Sequence, residues 1–179
     1  MSTLPRAIAD AHHHLWLLSE GHFPWLQDGY DAAAFFLGDY STLRRDFGVA
    51  DYRAVTAGLP IVATVHVEAE RSRAESLAET RWLHAIHAEH GFPNAVVANV
   101  EFLAPDAQAQ MAAQAEWPLV RGVRCKPRIA RSPTDSVRGQ PGTLQDEAFL
   151  AGLGLLRAHD LLWDVRVPYW HLEEAAEAI

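Results

Sequence analysis

The chain has 179 residues, 49% of them hydrophobic and 21% charged, which is enough apolar content for a real core and excludes disorder as the expected state. A net charge of -8, with Lys and Arg nowhere gathered into a stripe, excludes nucleic acid and an anionic membrane surface as expected partners. The single cysteine, Cys125, allows no internal disulfide; no uncharged apolar run is long enough to span a bilayer and the start does not read as a signal peptide, so a cytoplasmic protein is expected.

Short apolar runs alternate with helical stretches, the pattern of βα units on a parallel sheet. The first run, Ile8 to His14, ends in Asp-Ala-His-His-His. At the strand period of two, Ile8, Asp10, His12 and His14 share one face, with Ala9, Ala11 and His13 on the other. His12 and His14 therefore direct two imidazoles the same way, an arrangement suited to zinc or a similar ion; a structural cluster is the alternative. Three histidines followed at once by a tryptophan-bearing apolar segment do not read as a tag. Asp10, one step deeper, is expected to orient an imidazole or to take strand-end hydrogen bonds. Residues 16–40 then read as an irregular segment, long for a compact domain, in which Trp16 and Trp25 either wall a pocket or pack in the core.

The second strand is expected from Ile61 to Ala69, with His66 and Glu68 on the face that carries Val62 and Thr64. Such a buried polar pair needs partners, because each group left unpaired costs about 1 to 3 kcal/mol. The first-strand histidines, a metal or a substrate would serve, as would a structural network with a neighbouring strand. Arg71 to His90 reads as a helix with an apolar stripe of Ala74, Leu77, Ala78, Trp82, Ala85 and Ile86, ended by Gly91 and Pro93. His84, His87 and His90 fall on its solvated face. A third strand (Val96 to Phe102), a helix (Pro105 to Glu116) and a fourth strand (Leu119 to Arg124) follow. Arg124 and Lys126 alternate onto one face at that strand's end, where a guanidinium fork beside an ammonium suits an acidic ligand; a solvated strand end explains them as well. Cys125 points away from them as a small buried hydrophobe. Residues 127–143 form a second irregular segment. Gln145 to His159 is a helix weakened by Gly152 and Gly154, and Leu161 to Val167 is the fifth strand. Within it, Asp164 and Arg166 are expected to neutralise each other as an interior ion pair, with a site role as the alternative. Both irregular segments leave a strand's C-terminal end, where parallel α/β folds place their ligand-binding loops.

Asp-Ala-His-His-His-Leu-Trp at 10–16, Phe-Pro-Trp-Leu at 23–26, Val-His-Val-Glu-Ala at 65–69, Glu-Thr-Arg-Trp-Leu at 79–83 and Val-Arg-Gly-Val-Arg at 120–124 stand in consistent order. Together they resemble the amidohydrolase-related family, in particular its branch of TIM-barrel metal-dependent hydrolases that contains sugar-acid lactonases. The resemblance implies an α/β fold in which residues 1–179 form a single partial TIM-barrel amidohydrolase-like domain: the N-terminal five βα units of a (β/α)8 barrel, truncated, with the active site at the C-terminal ends of the strands. It implies a divalent metal ion, zinc first, on His12 and His14. With that resemblance adding weight to the His66–Glu68 pair, Glu68 and His66 are the expected catalytic groups, and Trp25, Arg124, Lys126 and Arg166 the expected contacts to a small-molecule substrate, an acidic lactone. Such a barrel takes roughly 250 residues, so the family's later histidine and its late aspartate would lie beyond Ile179. Weak metal binding, and association of copies through open strand edges into a homo-oligomer, are then expected. The expected reaction is hydrolytic opening of a sugar-acid or related lactone by a metal-activated water. Metal-assisted decarboxylation and a non-catalytic binding module are the alternatives.

Overall fold

The structure, a computed structural model, describes residues 5–33, 35 and 38–179. Positions 34, 36 and 37 of the irregular segment predicted over residues 16–40 lie outside the described residues. The elements are β1 (Ile8–His13), α1 (Pro24–Gln27), α2 (Val49–Val55), β2 (Ile61–Val67), α3 (Ser76–His90), β3 (Ala95–Asn99), α4 (Ala107–Ala115), β4 (Val120–Arg124), α5 (Glu147–Ala158), β5 (Leu162–Trp163) and α6 (Leu172–Ala178). The strands are hydrogen-bonded in chain order, β1-β2-β3-β4-β5, and the β1–β2 and β4–β5 pairs are parallel. A helix stands between each strand and the next, the crossover that parallel pairing requires, so the expected run of five βα units is the fold observed. The chain divides into two compact units, one ending at Val96 and the other beginning at Val97.

In the first unit two apolar clusters form the core. Trp16, Phe23, Leu26 and Ala69 pack with Leu18, Trp25 and Phe47; Leu15, Tyr52 and Ile86 pack with Trp82 and Phe92. β1 pairs with β2 through Asp10↔Thr64 and His13↔His66, and the register slips between these two pairs. Asp10 sits at the slip. Its Oδ1 accepts the His12 backbone N–H at 3.2 Å and its Oδ2 accepts the Tyr52 hydroxyl at 2.8 Å, so it takes strand-end bonds rather than an imidazole. Tyr52 comes from α2, a helix the sequence pattern did not reveal; the Gly48 N–H donates to Asp51 Oδ2 at 3.0 Å, the N3 carboxylate that starts it.

α3 begins at Ser76 instead of the expected Arg71. Glu70 takes a left-handed φ of 57° and Ser72 an extended ψ of 132°, so the helix cannot run from Arg71. The helix ends as predicted at Gly91, with φ 78° and its N–H on the His87 carbonyl at 2.8 Å. Its buried face is rotated from the expected stripe: Glu79, Thr80, Leu83 and Ile86 face inward, whereas Ala74 and Ala85 are exposed. The larger Leu and Ile side chains decide the face, since alanines offer little apolar area to bury. His84 and His87, expected in solvent, are half-buried and donate from Nδ1 to the Thr80 and Pro93 carbonyls.

The second unit buries Phe102, Met111, Val123 and Phe149, with the Phe102 and Phe149 rings 5.3 Å apart. Asp146 caps α5 by accepting the Ala148 N–H at 3.0 Å. Gly152 is there for space: a Cβ at that position would lie 2.4 Å from the Phe102 Cβ. β5 is only two residues long, Leu162 and Trp163 pairing with Gly122 and Val123, and the Asp164 N–H donates to the Val123 carbonyl at 2.9 Å. Asp164 and Arg166 therefore lie outside the strand, which corrects the expected seven-residue element. The irregular segment over residues 127–143 is anchored by Ala130, whose N–H donates to His171 Nε2 at 2.8 Å and whose carbonyl accepts from the Trp170 indole at 3.2 Å. Cys125 is buried and its Sγ accepts the Phe102 N–H. No helix among the described residues is long and apolar enough to cross a membrane.

Candidate functional site

The candidate site lies in the first unit, where β1 and β2 end. His12 and His14 turn the same way: their Nε2 atoms are 3.1 Å apart and their ring centroids 4.9 Å apart. His14 Nδ1 lies 2.7 Å from the Val67 carbonyl, which can only accept, so the His14 proton is on Nδ1 and the Nε2 lone pair faces His12. Two imidazole nitrogens on one tetrahedral zinc, each at about 2.0 to 2.1 Å, stand roughly 3.3 Å apart. Spacing and tautomer both fit a divalent ion. Among the described residues no group of three or more His, Cys, Asp or Glu comes together to hold a metal, so the fit rests on these two imidazoles.

The other two histidines support the strand ends. His66 is fully buried and its Nε2 accepts the Leu15 N–H at 2.9 Å, fixing the backbone just after His14. Burial, with His13 and His14 alongside, holds its pKa well below the ordinary value, so it is neutral and suited to accept that bond. His66, expected among the catalytic groups, gives its Nε2 to this backbone bond and stands 6.2 Å from the His14 ring. His13, on the opposite side of β1, packs against Tyr52 at 4.6 Å and edge-on to His66 at 5.5 Å; burial lowers its pKa to about 4.

Glu68 follows β2 and is almost wholly buried. Its Oε2 accepts the Glu70 N–H at 3.0 Å and an Arg73 N–H at 3.4 Å. The next residue is held from both sides: Ala69 donates its N–H to Glu79 Oε1 at 2.9 Å and accepts from the Trp25 indole at 2.9 Å. Trp25, expected at the substrate, spends its N–H on that bond, stacks on Phe35 at 5.9 Å and meets Trp16 edge-on at 5.8 Å. Burial raises the Glu79 pKa to about 8, against the pull of the Ala69 N–H and with Glu68 adding to the rise. Ser72 and Arg71 complete the tie between the two loops through the His22 and Glu20 carbonyls, at 2.7 and 2.6 Å.

Arg124, Lys126 and Arg166 belong to the second unit. Arg124 is buried, and its Nε and Nη2 both donate to Asp164 Oδ1, at 2.9 and 2.8 Å. Asp164 was expected to pair with Arg166; its Oδ1 serves Arg124, because it follows β5 beside the end of β4. Lys126 and Arg166 are half-buried. Tyr52 and Glu79 were missed by the sequence reading. Glu79 carried a signal, an acid one helical turn before Leu83 on what proves to be the buried face.

No family model matches the chain. It is 28% identical over 171 residues to the uncharacterized protein y4mH of Sinorhizobium fredii, covering 96% of this chain and 57% of that protein. It is also 28% identical over 163 residues to an L-fucono-1,5-lactonase of Burkholderia ambifaria, covering 91% of this chain and 49% of the lactonase. Among solved structures it matches a zinc-bound amidohydrolase from Burkholderia multivorans, with a TM-score of 0.64, 21% identity, and coverage of 94% of this chain and 52% of that one. It likewise matches amidohydrolase 2 from Bifidobacterium longum subsp. infantis, with a TM-score of 0.60, 20% identity, and coverage of 98% and 57%. The chain thus has the fold of the N-terminal βα units of amidohydrolases. In sequence as well as fold it resembles the N-terminal part of amidohydrolase-related proteins, a lactonase among them. It spans about half the length of the curated relatives it matches.

Proposed function

We propose that this chain supplies the metal-binding first strands of a hydrolase that opens a lactone, with sugar-acid or related acidic lactones as the substrate class and zinc or a similar divalent ion as cofactor. The observation that carries this reading is the 3.1 Å approach of His12 Nε2 to His14 Nε2, with His14 Nδ1 committed to the Val67 carbonyl. The similarity to a lactonase supports the choice of substrate. His12 and His14 would hold the ion, which when bound supplies Lewis acidity, lowering the pKa of a water toward about 7 and polarising the scissile carbonyl. In this reading the Glu68 carboxylate takes the proton as water adds to the lactone carbonyl and returns it to the ring oxygen as the ring opens. The single buried Cys125 suits the cytoplasm.

The test is a panel of sugar-acid lactones beside aromatic carboxylic acids, assayed with zinc and with a chelator. Slow base uptake on the lactones that the chelator abolishes is expected. Carbon dioxide release from the aromatic acids would replace the hydrolase by a decarboxylase, and metal-independent base uptake would remove the ion from the reading.

A further inference from the structure

Four consecutive residues after His66 support the His12–His14 pair. Val67 presents the carbonyl that accepts from His14 Nδ1, Glu68 bears the carboxylate, Ala69 follows, and Glu70 turns the chain with a left-handed φ of 57°. That conformation is unfavourable for a residue with a Cβ, so the turn needs fixing from outside. Two side chains from other elements do so at Ala69. Glu79 Oε1 accepts its N–H and the Trp25 indole donates to its carbonyl, each at 2.9 Å. Glu79 is 3% exposed on the inward face of α3, beside Leu83 and Ile86, so it reaches Ala69 from a well-packed helix. A carboxyl in that position would cost stability without a partner, and Ala69 is the partner it meets.

We infer that Glu79, acting with Trp25, is a positioning residue of this site: by gripping Ala69 it sets both the Glu68 carboxylate and the Val67 carbonyl that fixes the His14 tautomer. The inference rests on the reading of His12 and His14 as metal-binding. Glu79 touches neither the ion nor the substrate. It works through the two residues that precede Ala69.

Reach is the property to vary. Glu79→Asp keeps the carboxyl but draws it back by one methylene, whereas Glu79→Gln keeps both reach and acceptor oxygen. Long-range proton–nitrogen NMR of the zinc-free full chain reports which His14 nitrogen carries the proton, and competition calorimetry against a chelator reports zinc affinity. Wild type and Glu79→Gln should hold the proton on Nδ1 and bind zinc alike. Glu79→Asp should spread the proton over both nitrogens and bind zinc about ten- to hundredfold more weakly, the usual cost of losing the support of a ligating imidazole. If Glu79→Asp does not fold, Trp25→Phe, which removes the other grip and keeps an aromatic ring, takes its place with the same expected result. An Asp or Phe variant indistinguishable from wild type overturns the inference, as does a Gln variant that falls as far as Asp. If wild type binds no zinc, the functional reading fails, and the His14 tautomer still decides whether Glu79 positions the site.

Discussion

Replacing Glu79 by Gln should change how stability depends on pH. Burial raises the folded-state pKa of Glu79 to about 8 from an ordinary value of 4.5. Between those values the folded protein keeps a proton that the unfolded chain has lost, so stability falls as pH rises; the contribution is complete below the unfolded pKa and gone above about pH 8. The slope is about 1.4 kcal/mol per pH unit, or roughly 4 kcal/mol from pH 5 to 8. Gln titrates nowhere and mimics the protonated form. Glu79→Gln should therefore match wild type near pH 5 and outlast it increasingly toward pH 8. At about 2 to 4 °C per kcal/mol for a chain of this size, the melting temperatures should separate by roughly 3 to 5 °C per pH unit. Thermal melts of both proteins from pH 5 to 9 measure this. A gap that stays constant across the range would refute a proton held on Glu79 in the folded state.

Other substitutions probe other joints. Tyr52→Phe removes the hydroxyl that donates to Asp10 Oδ2 at 2.8 Å, and should cost about 1 to 2 kcal/mol in denaturant unfolding. Gly152→Ala places a Cβ 2.4 Å from the Phe102 Cβ and should cost about 1 to 3 kcal/mol by the same measurement, because the backbone of α5 must retreat. Asp164→Ala leaves the buried Arg124 guanidinium without its carboxylate and should destabilise by about 3 to 5 kcal/mol while leaving calorimetric zinc affinity unchanged.

What could be read from the sequence was set by short-range rules. The shared direction of His12 and His14 follows from the strand period, the end of α3 from Gly91, and the βα rhythm from alternating apolar runs and helical stretches. Contacts between distant segments could not be read that way. Asp164 bonds Arg124, forty residues earlier in the chain, because β4 and β5 run side by side. Glu79 sits on a helix whose alanines suggested a different buried face, and only the packing of Leu83 and Ile86 turned the acid inward toward Ala69. α2 and α6 are seven residues each, too short for a period to stand out, and both are stabilised by tertiary contacts such as Tyr52 on Asp10.

X-ray absorption at the zinc edge of the zinc-loaded chain asks most directly whether His12 and His14 hold the ion. The expected spectrum has nitrogen or oxygen neighbours at about 2.0 to 2.1 Å with the outer-shell scattering of two imidazole rings, and a His12→Ala, His14→Ala double variant should lose that imidazole signature. A wild-type spectrum without imidazole scattering, or a double variant that retains it, would contradict the assignment.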